Sequence, residues 1–229
     1  MYSNPQQLKG GLMSGARNKI LDQFSATLNI NGYSVEFCQD FAEMFVDDKK
    51  NVKPCDIIFL ASMYNKVGDY ESAAFYLDMI DDKKLSGEEK FCYCYEKLII
   101  YGKKGRGSEG DLFRGEHINF MQNYVQKKND PEYIVNMFIA LALVDCANKR
   151  YAEAFTLLKK CYKPTGRNDR HFLNILISAV FVYAKMDDMA ELEEASNNAR
   201  KYLKTFSAFE YDWEKAYYLK RIEDAENGK

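Results

Sequence analysis

The residues best suited to chemistry in this sequence are six cysteines, two histidines and one glycine-rich basic segment. Cys92 and Cys94 form the closest cysteine pair, but side chains two residues apart on a helix point in different directions. His117 and His171 have no partner at the spacing of a helical zinc site. The sequence therefore predicts no metal site, and it predicts that the cysteines, which lie in apolar helical stretches, are reduced thiols in the core.

The glycine-rich segment 102–111 reads GKKGRGSEGD and combines four glycines with Lys103, Lys104 and Arg106. Such a composition is compatible with an anion cradle. A P-loop, however, needs the order G-x-x-x-x-G-K-[ST] between a strand and a helix, and this segment has neither. We therefore interpret 102–111 as a flexible, solvated connector between helices.

Catalytic motifs are missing from the sequence, which contains no G-x-S-x-G, H-E-x-x-H or G-x-G-x-x-G pattern. The carboxylate pairs Asp81-Asp82 and Glu193-Glu194 fall near helix ends or on polar faces, where a charge run is usually a solvated surface. We predict no catalytic, cofactor-binding or metal-binding residue and no cofactor. An enzyme built from dispersed residues stays open as an alternative, since fold alone does not fix function.

Composition indicates a helical protein with no long-range field for nucleic acid or membranes. Hydrophobic residues make up 47% of the 229, with 17 Tyr, 15 Phe and only 4 Pro, which favours long helices and a sizeable core. The net charge is −2 at pH 7, so neither nucleic acid nor a membrane surface is expected as a partner. No apolar run is long enough to span a bilayer and none resembles a signal peptide, so a cytoplasmic location is predicted.

Capping signals place several helices. Ser34 precedes a stretch with apolar residues at three- and four-residue steps, Pro54 suits the first turn of a helix, and Asp130-Pro131 combines an N-cap with a first-turn proline. Helices are also predicted from Ser86 to Tyr101, from Arg114 to Lys128 and from Ala208 to Ala225. Residues 1–16 contain proline and glycines and are expected to be flexible.

Residues 57–80 carry the most informative pattern in the chain. A first helix, a Gly68-Asp69 turn and a second helix present small and aromatic residues on facing sides; these are Leu60, Ala61, Tyr64, Tyr70, Ala73, Ala74 and Leu77. This pattern resembles the tetratricopeptide repeat (TPR), an antiparallel helix pair of about 34 residues. A weaker copy covers 136–161, with Asp145 in place of the tyrosine and Lys149-Arg150 in place of Gly-Asp. Another covers 173–199, with Asp187-Asp188 at its turn.

The resemblance implies an all-α, right-handed α-α superhelix of about four helix hairpins that ends in a capping helix. We expect a single TPR-like domain over 17–229. The stretch 86–128 is interpreted as a hairpin that has lost the small-residue signature and whose long glycine loop replaces the short turn.

The resemblance also implies a protein–protein interaction module or adaptor that holds a segment of another protein or peptide in its concave groove. The residues expected on that face are Ile58, Ser62, Asn65, Lys66, Asn136, Ile139, Leu143, Asn174, Ile177, Phe181 and Lys185. Because several are apolar, an apolar helix or extended peptide is the expected ligand rather than an acidic tail. Two alternatives stay open: the groove is closed and these residues are core, or the protein is a homodimer formed through helix faces near Trp213.

Overall fold

The computed structural model describes residues 26–28, 31–46, 52–161 and 169–228. Over these ranges the fold is all-α, as predicted, with no strand. From residue 35 onward the described residues form ten α-helices and one 3₁₀ helix at Asp82–Lys84. The helices are α1 (Val35–Phe45), α2 (Pro54–Val67), α3 (Tyr70–Asp78), α4 (Gly87–Lys103), α5 (Gly107–Lys128), α6 (Pro131–Ala147), α7 (Tyr151–Lys160), α8 (Arg170–Met186), α9 (Met189–Thr205) and α10 (Trp213–Glu226).

The predicted capping signals act as expected. The hydroxyl of Ser34 accepts a hydrogen bond from the Phe37 N–H at 3.1 Å at the start of α1. Asp130 caps α6 in the same way, accepting from the Glu132 N–H at 2.9 Å. Pro54 lies in the first turn of α2, where the missing N–H costs nothing. Local sequence therefore sets where these helices begin.

The helices group into two compact units, Met1–Ile100 and Tyr101–Lys229. In the first unit α2 packs against α1 and α3, and the rings of Phe41 and Phe59 meet in its core with centroids 5.0 Å apart. The single domain expected over 17–229 stays a prediction, and the segment 1–16 lies outside the described residues.

In the second unit α6 and α8 each pack against the helix that follows them, and they also pack against one another. Helix α6 contacts α5, α7 and α8, and α8 contacts α7, α9 and α10. The most extensive contacts are within the pairs α6–α7 and α8–α9. Side chains between α6 and α8 are accordingly buried, including Leu143, Ile177 and Phe181.

Four helix-to-helix turns share one backbone conformation. In each, an N–H donates to the carbonyl five residues earlier, in the pairs Asp69–Tyr64 (3.0 Å), Arg106–Tyr101 (2.8 Å), Arg150–Asp145 (2.8 Å) and Asp188–Tyr183 (3.4 Å). The preceding residue is left-handed in every case: Gly68, Gly105, Lys149 and Asp187 have φ of 83°, 69°, 60° and 59°. This is a helix C-cap that satisfies otherwise free carbonyl groups, and it recurs at the turn of 86–128.

The segment 102–111 is therefore not the flexible solvated connector that composition suggested, and that prediction is wrong. Helix α4 runs to Lys103 and α5 begins at Gly107, so the connection is as short as the other turns. A Cβ on Gly102 would lie 2.5 Å from Leu143 Cβ, and one on Gly110 would lie 2.9 Å from Val144 Cγ1. These glycines permit close approach to α6, which composition alone does not distinguish from chain flexibility.

Candidate partner-binding residues and an ion-pair cleft

The eleven residues predicted to bind a partner divide sharply by exposure. Six are buried in the structure: Ile58, Ser62, Ile139, Leu143, Ile177 and Phe181. Four are half-buried, namely Asn65, Lys66, Asn136 and Asn174, and Lys185 is exposed. The apolar members have almost no surface to offer a ligand, as expected for the alternative in which they are core. Their role in binding stays a prediction, and the polar members become the stronger candidates.

In the first unit the side chain of Asn65 is hydrogen-bonded to a buried acid, Glu96. Its Nδ2 donates to Glu96 Oε2 at 2.6 Å, and Glu96 is only 5% exposed. Burial raises the pKa of Glu96, although the Asn65 hydrogen bond acts in the opposite direction. Because the amide stabilises a carboxylate inside the unit, Asn65 has a structural role that sequence reasoning did not predict.

Lys66 is engaged in the same unit by an aromatic side chain. Its Nζ donates to the Tyr33 hydroxyl at 2.9 Å and lies 4.4 Å from the centre of that ring. A lysine held over an aromatic ring gains a cation–π contribution as well as the hydrogen bond. Lys66 therefore tethers the residues before α1 to α2.

In the second unit two lysines lie over one aromatic ring, and the positive charge of an arginine acts on one of them. We name these three cations, Lys103, Lys185 and Arg221, the Phe181 cation cluster. The ammonium groups of Lys103 and Lys185 lie 3.6 Å and 5.3 Å from the centre of the Phe181 ring. Arg221 Nη1 donates to Asn174 Oδ1 at 2.6 Å. Helices α4, α8 and α10 each contribute one cation, so residues far apart in sequence converge at one place.

Electrostatic repulsion is evident at the half-buried Lys103 of this cluster. Burial, together with the positive charges of Arg221 and Lys185, lowers the pKa of Lys103 to about 7. Asp224 acts in the opposite direction, but its carboxylate is also paired with Lys220 at 2.6 Å. A site where ammonium groups repel one another is a site where an incoming anion is stabilised.

Two members of the cluster were missed from the sequence. Lys103 lay in the segment taken for a connector, and Arg221 lay on a helix interpreted as a cap. The sequence signal for Lys103 was the run of apolar residues before it, which extends α4 by two residues beyond the predicted end at Tyr101. The side chain of Asn136, which was predicted, makes no hydrogen bond within the described residues.

A second polar arrangement in this unit is built on the buried Asp145, whose side chain is 4% exposed. Its Oδ1 accepts from Arg114 Nη1 at 3.0 Å and from Arg150 Nη2 at 2.6 Å. Arg150 also binds both oxygens of Asp111 at 2.6 Å, which lowers the pKa of Asp111. Asp145 and Arg150 are two residues at which 136–161 differs from the pattern predicted from the sequence, and both belong to this one ion-pair network.

The network forms the floor of an open cleft of about 610 Å³, which we name the Asp145 cleft. It involves α5, α6 and α7. Besides Asp111, Arg114, Asp145 and Arg150, the cleft is lined by Ala152, Glu153, Thr156, Leu157 and Lys160. A volume of this size is typical of small-ligand sites.

Most of the cysteines are buried, and aromatic residues near the chain end pack on one another. Four thiols lie in the core as predicted, namely Cys38, Cys92, Cys94 and Cys146, whereas Cys55 and Cys161 are half-buried. Within the described ranges no three His, Cys, Asp or Glu side chains converge as metal ligands do.

Trp213 stacks on Tyr211 with ring centroids 6.0 Å apart, so part of that aromatic face is used internally. Self-association through this face stays a prediction.

Comparisons of the chain with models of known protein families, with characterised proteins and with solved structures gave no match. None of the described helices is both long and apolar enough to cross a bilayer.

Proposed function

We propose that this protein is a TPR-like protein–protein interaction module that binds an acidic segment of a partner at the Phe181 cation cluster. The observation that carries the proposal is that Lys103 and Lys185, from two helices, lie over the Phe181 ring. The positive charge of Arg221, from a third helix, acts on Lys103. Asp and Glu side chains of a bound segment would relieve the repulsion among these cations. The partner class thus differs from the apolar segment that the sequence favoured, because the apolar candidates are buried.

The repeated turn supports the TPR-like architecture. Four turns with the same hydrogen bond and the same left-handed residue are expected if four helix hairpins stack as an α-α superhelix. Within the second unit, the contacts of α6 with α8 and of α8 with α10 follow the order that stacked hairpins produce. The proposed fold is therefore a solenoid of about four hairpins that ends in α10.

A fluorescent hexaglutamate peptide, with hexaglutamine as its neutral counterpart, tests the site directly. Hexaglutamate should bind the full-length protein in fluorescence anisotropy, and Lys185→Glu should weaken binding about tenfold because one attractive charge becomes repulsive. The matched control is Lys204→Glu, an exposed lysine of α9 that introduces the same charge change outside the cluster.

The two variants also allow natural partners to be recognised. In pull-downs from the source cell, proteins lost with Lys185→Glu but retained with Lys204→Glu are the expected partners, and their binding should weaken as salt rises. Equal peptide binding by both variants would place the binding surface elsewhere. Binding of hexaglutamine as tight as that of hexaglutamate would contradict the proposal that charge selects the partner.

A further inference from the structure

The Asp145 cleft has unused hydrogen-bonding capacity on one of its two arginines. Arg150 donates through Nε, Nη1 and Nη2 to Asp111 and Asp145. Arg114 uses only Nη1, bound to Asp145, although a guanidinium has five N–H donors in a planar fork. Its other donors have no hydrogen-bond partner among the described residues. Arg114 is therefore fixed in place by the buried acid while still able to bind a ligand.

The charges that line the cleft decide which anion fits it. Three acidic and three basic residues line it, so the lining is neutral overall at pH 7. Asp111 and Asp145 are compensated by the arginines, which leaves the exposed Glu153 and Lys160 as the remaining charges of the lining. A singly charged carboxylate can form a bidentate pair with Arg114, whereas a phosphate dianion would also experience Glu153 without a net positive field to offset it.

Part of the cleft lining is apolar. Ala152 and Leu157 of α7 contribute to the lining alongside the methyl-bearing Thr156, whose hydroxyl already donates to the Ala152 carbonyl at 2.8 Å. A ligand stem lying against this part of the lining gains from apolar burial without leaving a polar group unsatisfied. The arrangement combines an orienting cation with an apolar surface, as small-molecule sites commonly do.

We propose that the Asp145 cleft binds a small organic acid with one carboxylate and an aliphatic stem. The carboxylate accepts hydrogen bonds from Arg114, with Lys160 as a second cation of the lining, and the stem lies against Leu157. This site is separate in its residues from the Phe181 cation cluster, so either can fail without the other.

The probes are 4-methylpentanoate, 4-methylpentan-1-ol and inorganic phosphate, titrated separately into the isotopically labelled full-length protein and followed by nuclear magnetic resonance. We expect saturable shifts of the Thr156 and Leu157 amide signals with 4-methylpentanoate at a dissociation constant of about 1 mM, the range for a ligand of this size. The alcohol shares the stem without the charge, and it should bind at least fivefold more weakly. Phosphate should produce no saturable shift at these amides.

Variants identify the residues responsible. Arg114→Met should abolish the 4-methylpentanoate shifts, and Arg114→Lys, which keeps the charge but not the planar fork, should weaken binding at least fivefold. Lys160→Met, at a side chain with no partner among the described residues, should weaken it about threefold without affecting the fold. Its matched control is Lys159→Met, an exposed neighbour outside the lining, which should bind as the unchanged protein does.

Three outcomes would overturn the proposal. The alcohol could bind as tightly as the acid, which would make the cleft a purely apolar site. Phosphate could saturate it in place of the carboxylate, which would show the charge argument to be wrong. Lys160→Met and Arg114→Lys could both bind 4-methylpentanoate unchanged, which would mean that neither cation contacts it.

Discussion

The turns at 64–69 and 145–150 have the same backbone and different side chains. In both, the last N–H closes on the carbonyl of the first residue, at 3.0 Å and 2.8 Å. The left-handed position is Gly68 in one and Lys149 in the other, with φ of 83° and 60°. The hydrogen bond and one left-handed residue therefore suffice to form the turn, which leaves the first side chain available for another role.

That first side chain differs completely between the two turns. Tyr64 stacks on Tyr76 with centroids 5.7 Å apart and planes 11° apart, so it contributes to a hydrophobic hairpin interface. Asp145 occupies the equivalent place and binds Arg114 and Arg150. One turn is thus held by aromatic packing and the other by ion pairs, and the second kind forms a cleft.

Removal of Asp145 should lower the free energy of unfolding more than any other change proposed below. Asp145→Ala leaves two arginines without their shared carboxylate, and we expect the free energy of unfolding to fall by about 3 kcal/mol, at the lower end for buried pairs because both arginines are partly solvated. Asp69→Ala, which removes only the cap of α3, should cost about 1 kcal/mol. Urea denaturation of both variants measures the difference, and equal losses would mean that the ion pairs contribute little.

The glycines of 102–111 provide the next test, since they separate a packed turn from a solvated one. Gly102→Ala places a Cβ 2.5 Å from Leu143 Cβ and 2.8 Å from its carbonyl carbon, and overpacking of this kind should cost about 2 kcal/mol. Gly115→Ala, also within a helix, has no atom within 4 Å of the new Cβ and should stabilise by about 0.5–1 kcal/mol. Thermal unfolding of the pair should shift in opposite directions, and two upward shifts would restore the connector interpretation.

Lys103→Met should give a smaller effect that depends on pH. The pKa of Lys103 is lowered to about 7 in the folded protein and is about 10.4 when the chain is unfolded, so the unfolded state binds more protons between these values and stability rises with pH across them. The destabilisation caused by the charged lysine is fully present below pH 7. Methionine removes it, so we expect a gain of about 1 kcal/mol at pH 6 that shrinks towards pH 9.

A pH series of urea denaturation curves checks this expectation. Lys204→Met, at an exposed lysine, is the control and should show no pH-dependent gain. A constant difference between Lys103→Met and the unchanged protein from pH 6 to pH 9 would contradict a titration of Lys103 in this interval.

The smallest effect should come from exchanging residues at the left-handed position. Lys149→Gly relieves the strain of a side chain at φ of 60° but increases the entropy of the unfolded chain, so a net gain of about 0.5 kcal/mol is expected. Gly68→Ala, at φ of 83°, should cost about 1 kcal/mol. If both changes are neutral in thermal unfolding, the left-handed residue does not limit the stability of the turn.

The sequence predicted helices well wherever a cap or an apolar stripe marked them, as at Ser34, Pro54 and Asp130. It failed at 102–111 because glycine has two uses, flexibility and close approach, and only the position of Leu143 and Val144 separates them. It also missed the turn at Gly105, which has the same conformation as Gly68. The small residue that permits close packing in this stretch is Gly110, whereas the sequence pattern was sought in alanines.

The candidate sites were harder to predict, because each joins residues from three helices. Asp145 and Arg150 were recognised as departures from the repeat pattern, but their partners Asp111 and Arg114 lie more than thirty residues away in sequence. The residues expected on the concave face were chosen by periodicity. Periodicity does not distinguish a residue that lines a surface from one buried against the next helix, as Phe181 is.

The buried thiols make the two units separately observable. Burial raises the pKa of Cys38 and Cys94 to about 12 in the first unit and that of Cys146 to about 11 in the second, so at neutral pH these groups are poor nucleophiles as well as inaccessible. Each becomes reactive only when its surroundings open. Alkylation followed by mass spectrometry therefore reports the opening rate of each unit in the unmodified protein, residue by residue and without an added label.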